Sequence, residues 1–494
     1  MNLTELMPFS VLIPLIAAPV VALLPGRIAP WLAASASAWL AFVIAIATWI
    51  HVSQTGVLRY AFGNWPPPIG IEYRVDAANA FVALLITVMA AIVLLWGRVT
   101  VDREVPERQG AFYALFLLAL AGLMGITLTG DIFNVFVFLE ISSLATYALI
   151  AHGGDRRALL AAFRYLIMGT VGATFLLIGI GFLYILTGTL NMVDLAERLP
   201  AIGESRALQV GLAFIVVGLA LKLALFPLHL WLPNAYTYAP SVVSAFIAAT
   251  ATKVALYVML RFIFTVFAPE YSFSALPLAL ALTLLAIGAM FAGSWLALLQ
   301  NNLKRLLAYS SVAQVGYMVL GVSFGTVLGL SASFLHLFNH GLMKAALFVA
   351  AGIIFHQTGS VRLESLRGLG RVMPWTLTGL ALAGLSLIGI PPTAGFVSKW
   401  YLISAAIDAE QTWLVVLILL SSLMALAYIA RLVELAWMQP RPSDAPAVSE
   451  ASVGLLIPLW ILVLANFYFG IDTRFSVGGA NAAAQALLGV GGLN

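Results

Sequence analysis

The chain is a succession of long apolar runs separated by short polar intervals. A helix that crosses the hydrocarbon of a bilayer needs about 20 consecutive, mostly apolar residues. Fourteen runs answer to that description, at 7–25, 31–52, 76–96, 111–128, 131–151, 160–187, 208–230, 239–267, 275–299, 307–323, 325–356, 374–404, 411–438 and 451–470. The pattern predicts an all-α polytopic membrane protein. The longest polar intervals, near 53–75, 97–110, 188–207 and 439–450, are too short to bury a core of their own.

Composition agrees. Of 494 residues, 62% are hydrophobic and only 9% charged, against roughly 25% charged in soluble domains. The net charge of +4 is spread over the loops and forms no patch, so no nucleic-acid surface is expected. With no cysteine, disulfides and thiolate metal or iron–sulfur sites are excluded. The chain opens MNLTELMPFSVLIPLIAAPVVALLP, with Glu5 as its only charge and without the basic start of a signal peptide; it reads as an uncleaved first span.

Orientation follows the bias of Lys and Arg toward cytoplasmic loops. With alternating spans, Arg27, Arg98, Arg103, Arg108, Arg156, Arg157, Lys304, Arg305, Arg362, Arg367, Arg371 and Arg441 fall on one side. Arg59, Arg74, Arg198, Arg206, Arg261 and Arg474 fall on the other. This predicts a multi-pass protein of the bacterial inner membrane with both termini extracytoplasmic.

Two spans contain proline well inside the run. One reads GLALKLALFPLHLWLPNAYTYAPS, with Lys222 ahead of Pro227; the other reads LSLIGIPPTAGFVSKWYLI, with Pro391 and Pro392 ahead of Lys399. Interior proline removes a backbone donor and clashes with the preceding turn, which lipid tolerates only where protein or water satisfies the freed groups. The two breaks fall in the seventh and twelfth spans. Such an odd offset predicts two five-helix units inverted relative to each other, a transporter pattern. The units are 111–267 (helices four to eight) and 275–438 (helices nine to thirteen). Residues 1–110 form the first three helices, and 439–494 the last helix and a tail.

Five ionisable residues lie within apolar runs: Glu140, Lys222, Lys253, Lys344 and Lys399. A charge at the bilayer centre costs about 2.5–3.5 kcal/mol on insertion scales, so such residues face a protein interior or a wet path and mark ion or proton routes. Lysine, unlike arginine, can release its proton when desolvated. Lys222 and Lys253 sit too deep to snorkel to the interface. Glu140, followed by Ser142 and Ser143, is placed to pair with a lysine. His336, His340 and Lys344 are spaced by four and share one helical face, a candidate proton relay. No HExxH motif is present and Lys344 would repel a cation, so no metal is expected there. His229 follows Pro227 and either joins the path or sits at the interface. Asp131 reads as an N-cap.

With these residues in view, the chain resembles the antiporter-like subunits shared by Mrp-type cation/proton antiporters, respiratory complex I and membrane-bound hydrogenases. The resemblance runs along nearly the whole chain and is most specific in GDIFNVFVFLEISSLATYALIAH, LKLALFPLHLWLPNAYTYAPSVVSAFIAATATKVALY and LAYSSVAQVGYMVLG. It implies a pair of Glu140 with Lys222, passage of charge through Lys253 to Lys399, and a central hydrophilic axis that includes His336, His340 and Lys344. It also implies other membrane subunits as partners, and no nucleotide, quinone or other cofactor site in this chain. The length and the fifth span look nearer to MrpD of the Mrp antiporters than to complex I. The expected function is therefore proton translocation within a multisubunit Na⁺/H⁺ antiporter, a secondary transporter rather than an enzyme, with Na⁺ handled by a partner. The alternative is the proton-pumping arm of a complex I-type dehydrogenase or membrane-bound hydrogenase. A haem-bearing electron carrier fits poorly, because two histidines on one helix cannot ligate a haem from opposite faces. A scaffold with inert ion pairs is the remaining reading.

Overall fold

A computed structural model describes residues 3–203, 205–443 and 445–489. The chain ends at 1–2 and 490–494, whose side of the membrane the sequence reading assigns, lie outside the described residues. In chain order the helices are α1 (Leu3–Leu6), α2 (Phe9–Leu23), α3 (Ile28–Thr55), α4 (Ala77–Glu104), α5 (Gln109–Leu128), α6 (Ile132–Ala151) and α7 (Arg156–Thr187). They continue as α8 (Met192–Ile202), α9 (Arg206–Leu223), α10 (Leu232–Tyr238), α11 (Ser241–Leu260), α12 (Pro269–Ala275), α13 (Leu278–Leu298) and α14 (Leu303–Ser323). The last are α15 (Val327–Thr358), α16 (Pro374–Ile388), α17 (Ala394–Asp408), α18 (Thr412–Val433), α19 (Val453–Ile471) and α20 (Arg474–Leu488).

Thirteen helices among the described residues are long and apolar enough to cross a membrane. The broken pair α16–α17 occupies the place of the remaining predicted span. All-helical spanning structure follows from the solvent: in lipid each backbone N–H and C=O must be satisfied within its own segment. Where helices start outside the hydrocarbon, side chains take over the free N–H groups. Asp76, Asp131, Asp155, Asn191, Asn302 and Thr326 each cap the helix that follows.

The bundle is layered by polarity. α15, α11 and α14, which carry most of the polar and ionisable residues, are enclosed, with α4 beside them. α2, α3, α7, α18 and α19 show apolar side chains outward. Close approach is set by glycine: a Cβ on Gly218 would stand 2.6 Å from the Gly172 carbonyl oxygen and 2.8 Å from the Leu176 nitrogen, so α9 meets α7 backbone to backbone.

Both broken spans are confirmed, and their ends are satisfied differently. α9 stops where Ala224 turns left-handed (φ 58°), and residues 225–231, containing Pro227, link it to α10. The freed carbonyl of Leu221 accepts from Trp231 Nε1 at 2.9 Å, and the Trp231 ring stacks on Tyr165 at 3.9 Å. α16 stops at Gly389 (φ 90°), and the segment with Pro391 and Pro392 leads into α17. Gly389 is required there twice over, by its φ and because a Cβ would meet Lys399 Cδ at 2.8 Å.

Three elements depart from the sequence reading. The interval 53–75 holds a two-stranded antiparallel hairpin, β1 (Leu58–Ala61) and β2 (Glu72–Val75), paired from Leu58 with Val75 to Ala61 with Glu72. The interval 188–207 contains α8, too short to be seen as a span. The segment expected as a tail ends in a helix, α20, which packs back on α15 and α4. Phe475 at its start meets Phe81, Phe338, Phe469 and Trp49; this small, alanine-rich helix was invisible because its docking partners are remote in sequence.

The glycine contact predicts two opposite results. Gly218→Ala should lose about 1–3 kcal/mol by overpacking and lower the unfolding midpoint in detergent. Gly181→Ala on the same pair of helices meets no atom within 4 Å and should leave the midpoint unchanged or slightly raised.

Candidate functional site: a buried row of lysines and histidines

Glu140 on α6 and Lys222 on α9 meet as expected, with Nζ 3.5 Å from Oε1. The shorter bond is to a residue the sequence reading named only as nearby: Lys222 Nζ donates to Ser143 Oγ at 2.9 Å. The pair is lopsided. The Lys222 side chain is 6% exposed and that of Glu140 24%, so the carboxylate faces outward between the exposed Val137 and Leu144. Beside Lys222, a cavity of 30 Å³ lined by Ser142, Ser143, Thr146 and Tyr165 reaches Ala251 and Val254 of α11. That is room for water between Lys222 and the helix carrying Lys253.

Lys253 is fully buried, and its Nζ donates to the Ala248 carbonyl and to Thr252 Oγ1. Lys344 is equally buried and donates to the Leu307 carbonyl at 2.8 Å and Ser310 Oγ at 2.6 Å. Lys399 reaches back across the second break to the carbonyls of Ile388 (2.8 Å) and Leu387 (3.3 Å), the freed end of α16, and to Ser422 Oγ (2.8 Å). The negative end of a half-helix is a natural seat for an ammonium. Its charge also lies 4.6 Å from the Tyr317 ring centre. Among the described residues, none of Lys253, Lys344 and Lys399 has a carboxylate within salt-bridge distance.

The histidines lie among these lysines. His336 Nδ1 bonds Ser398 Oγ at 2.8 Å and its Nε2 bonds Gln314 Oε1 at 2.9 Å. Ser398 precedes Lys399, and Tyr317 lies edge-on to His336 at 5.6 Å. His340 stacks parallel to His336 at 6.0 Å; both its ring nitrogens are buried without a hydrogen-bond partner among the described residues. Lys253 and Lys344 are its electrostatic neighbours. Close contact of α15 with α11 at this level is allowed by Gly341, whose Cβ would come 3.2 Å from the Ala249 carbonyl oxygen. His229, 3% exposed in the first break, stacks on Phe226.

Every residue of the expected row except the partly exposed Glu140 is therefore enclosed in the bundle, and Pro227, Pro391 and Pro392 all lie in unwound segments. The row supplies proton donors and acceptors alternating with hydroxyls, and no negative cage for a metal cation. No cluster of three or more His, Asp or Glu with metal-binding geometry occurs among the described residues.

Sequence reasoning missed several parts. Ser310, Gln314, Tyr317, Ser398 and Ser422 are common residues that matter only through their neighbours. Lys304 and Arg261, read as loop residues, are 3% and 6% exposed. Arg261 binds Asp76, donates to Asn79 Oδ1 at 2.7 Å and to Tyr257 Oη at 2.9 Å, and lies over the Tyr257 ring. Asn79 and Tyr257 both bond the Thr127 carbonyl, tying α4, α5 and α11 together. Removing one member of such a buried pair leaves an uncompensated charge. Arg261→Met or Asp76→Asn should each destabilise by about 3–5 kcal/mol, and the double variant should recover part of that loss, measured as unfolding midpoints in detergent.

Comparison with known proteins places this architecture. Residues 129–425 match the family described as NADH:quinone oxidoreductase/Mrp antiporter, TM. The chain is 43% identical over 425 residues to the N subunit of the NADH-quinone oxidoreductase of Desulforudis audaxviator, covering 84% of each chain. It is 32% identical over 424 residues to the D subunit of the Na(+)/H(+) antiporter of Alkalihalophilus pseudofirmus, covering 85% of this chain and 84% of that one. These identities do not favour the expected leaning toward MrpD. A chain in the structure of the Mrp complex from Dietzia sp. DQ12-45-1b superposes with a TM-score of 0.90 at 26% identity, over 99% of this chain and 98% of that one. The chain thus belongs to the NADH:quinone oxidoreductase/Mrp antiporter transmembrane family and is an antiporter-like, multi-pass membrane subunit.

Proposed function

We propose that this chain translocates protons along the row Glu140, Lys222, Lys253, His340, Lys344, His336 and Lys399, as one membrane subunit of a larger complex. The observation that carries the reading is the burial of Lys253, Lys344 and Lys399 with only carbonyls and hydroxyls as partners. A permanently charged ammonium in such a place is expensive, whereas a group that alternates between amine and ammonium is a carrier. Movement of charge at the Glu140–Lys222 pair changes the field at Lys222. This drives a proton across the water-sized cavity to Lys253 and on, past the histidines, to Lys399. Glu140 is the only carboxylate in the row and makes a poor Na⁺ site, so any Na⁺ is handled by another subunit.

The complex has two candidate identities. The sequence points to a Na⁺/H⁺ antiporter; the NADH-quinone oxidoreductase relative favours a redox-driven complex of the complex I type. In both, the face carrying Arg103, Arg157, Lys304 and Arg362 is the cytoplasmic one of a bacterial inner membrane. Mass spectrometry of the copurifying complex separates them: purely membrane-embedded partners mean antiport, and flavin or iron–sulfur subunits mean a redox pump.

Lys222→Ala and Glu140→Ala should each abolish proton movement in reconstituted vesicles while the complex keeps its native mass. A wild-type rate in a correctly assembled Lys222→Ala complex would overturn the reading.

A further inference from the structure

A cavity of 610 Å³ opens at the Arg-rich end of the bundle, where the ends of α4, α11, α14 and α15 meet beside the α6–α7 turn. It stands over the enclosed helices, not at the lipid-facing rim. Its charged lining consists of Arg103, Glu104, Asp155, Arg157, Lys304 and Arg362.

Two of these meet on one residue. Glu104 Oε2 accepts from the Ser241 backbone N–H at 2.7 Å, at the first residue of α11. Lys304 Nζ donates to Ser241 Oγ at 3.0 Å and to the Ala239 carbonyl at 3.3 Å. The other carboxylate oxygen, Glu104 Oε1, is buried and has no hydrogen-bond partner among the described residues. Asp155 is already engaged: it caps α7 and is bound by Arg157 at 2.5 Å, which holds its carboxyl below the usual range. Glu104 is thus the carboxylate in the cavity with a free acceptor.

The floor of the cavity is close to the lysine row. Lys304 precedes Leu307 and Ser310, the two acceptors of Lys344, by one and two turns of α14, about 4.5 and 9 Å at 1.5 Å per residue. Ser241 precedes Ala248, the acceptor of Lys253, by about 10 Å on α11.

We propose that this cavity is the proton-loading port of the central lysines and that Glu104 is its collecting base. The inference rests on the proton-translocating function above. Glu104 takes a proton from hydronium and leaves water. Lys304 gives one of its protons toward the neutral amine of Lys344 and is recharged from Glu104, so one proton moves inward and both port residues return to their starting forms. The Lys304 ammonium at the floor repels Na⁺ and K⁺, which makes the port selective for protons.

The test uses the whole complex in vesicles. In Glu104→Gln the amide oxygen still accepts from Ser241 N–H, so the cap of α11 survives while the base is lost. The rate of proton movement should fall about tenfold or more, and Glu104→Asp should restore much of it. The chain has no cysteine, so a single Ser360→Cys at the cavity wall is its only thiol. An anionic, membrane-impermeant methanethiosulfonate reagent added from the Arg-rich side should block transport through it. The same reagent on Ser53→Cys, in the cavity at the opposite face, should have no effect. Wild-type rates in Glu104→Gln and in labelled Ser360→Cys, with Lys222→Ala inactive, would overturn the port alone. Wild-type rates in Lys222→Ala as well would overturn the function on which it rests.

Discussion

The arrangement of the whole bundle depends on how buried ammonium groups are held without counter-ions. In lipid, neither a backbone polar group nor a charge can turn to solvent. Lys253, Lys344 and Lys399 are held instead by carbonyl oxygens and hydroxyls. Such partners stabilise the charged form less than a carboxylate would and leave the neutral form tolerable. Among the described residues of the row only Lys222 has a carboxylate, at the long distance of 3.5 Å and partly exposed. That imbalance distinguishes this row from a set of structural salt bridges such as Asp76–Arg261.

The helix breaks follow from the same constraint. Unwinding a span releases carbonyls, and each break reuses them. At the first, Trp231 occupies the Leu221 carbonyl and leaves Lys222 free to turn to Ser143 and Glu140. At the second, Lys399 itself occupies the freed end of α16, with Gly389 making way for its stem. The two breaks are alike in chain position and different in what they do with charge. The row therefore has a partly exposed end at Glu140 and an end closed on its own backbone at Lys399.

Hydroxyl and amide side chains complete the connection. Ser398 and Gln314 fix the His336 ring between them, and Tyr317 faces both His336 and Lys399. Ser310 and Ser143 each make the shortest bond of the lysine they serve. These contacts cross between helices far apart in the chain, so the surroundings of His336 and Lys399 form only where α14, α15 and α17 pack together.

The amino-acid sequence by itself determined the spans, the two broken helices and the ionisable row, because an apolar run of bilayer length and a charge within it have few alternatives in lipid. The Asp131 cap was legible for a similar reason, since a cap and its helix are adjacent. Only the tertiary structure decided that Lys304 and Arg261 are buried, that α20 folds back, and which hydroxyl serves which lysine. Each of these depends on helix ends and side chains brought together from remote positions, and hydrophobic periodicity carries no information about which helices become neighbours.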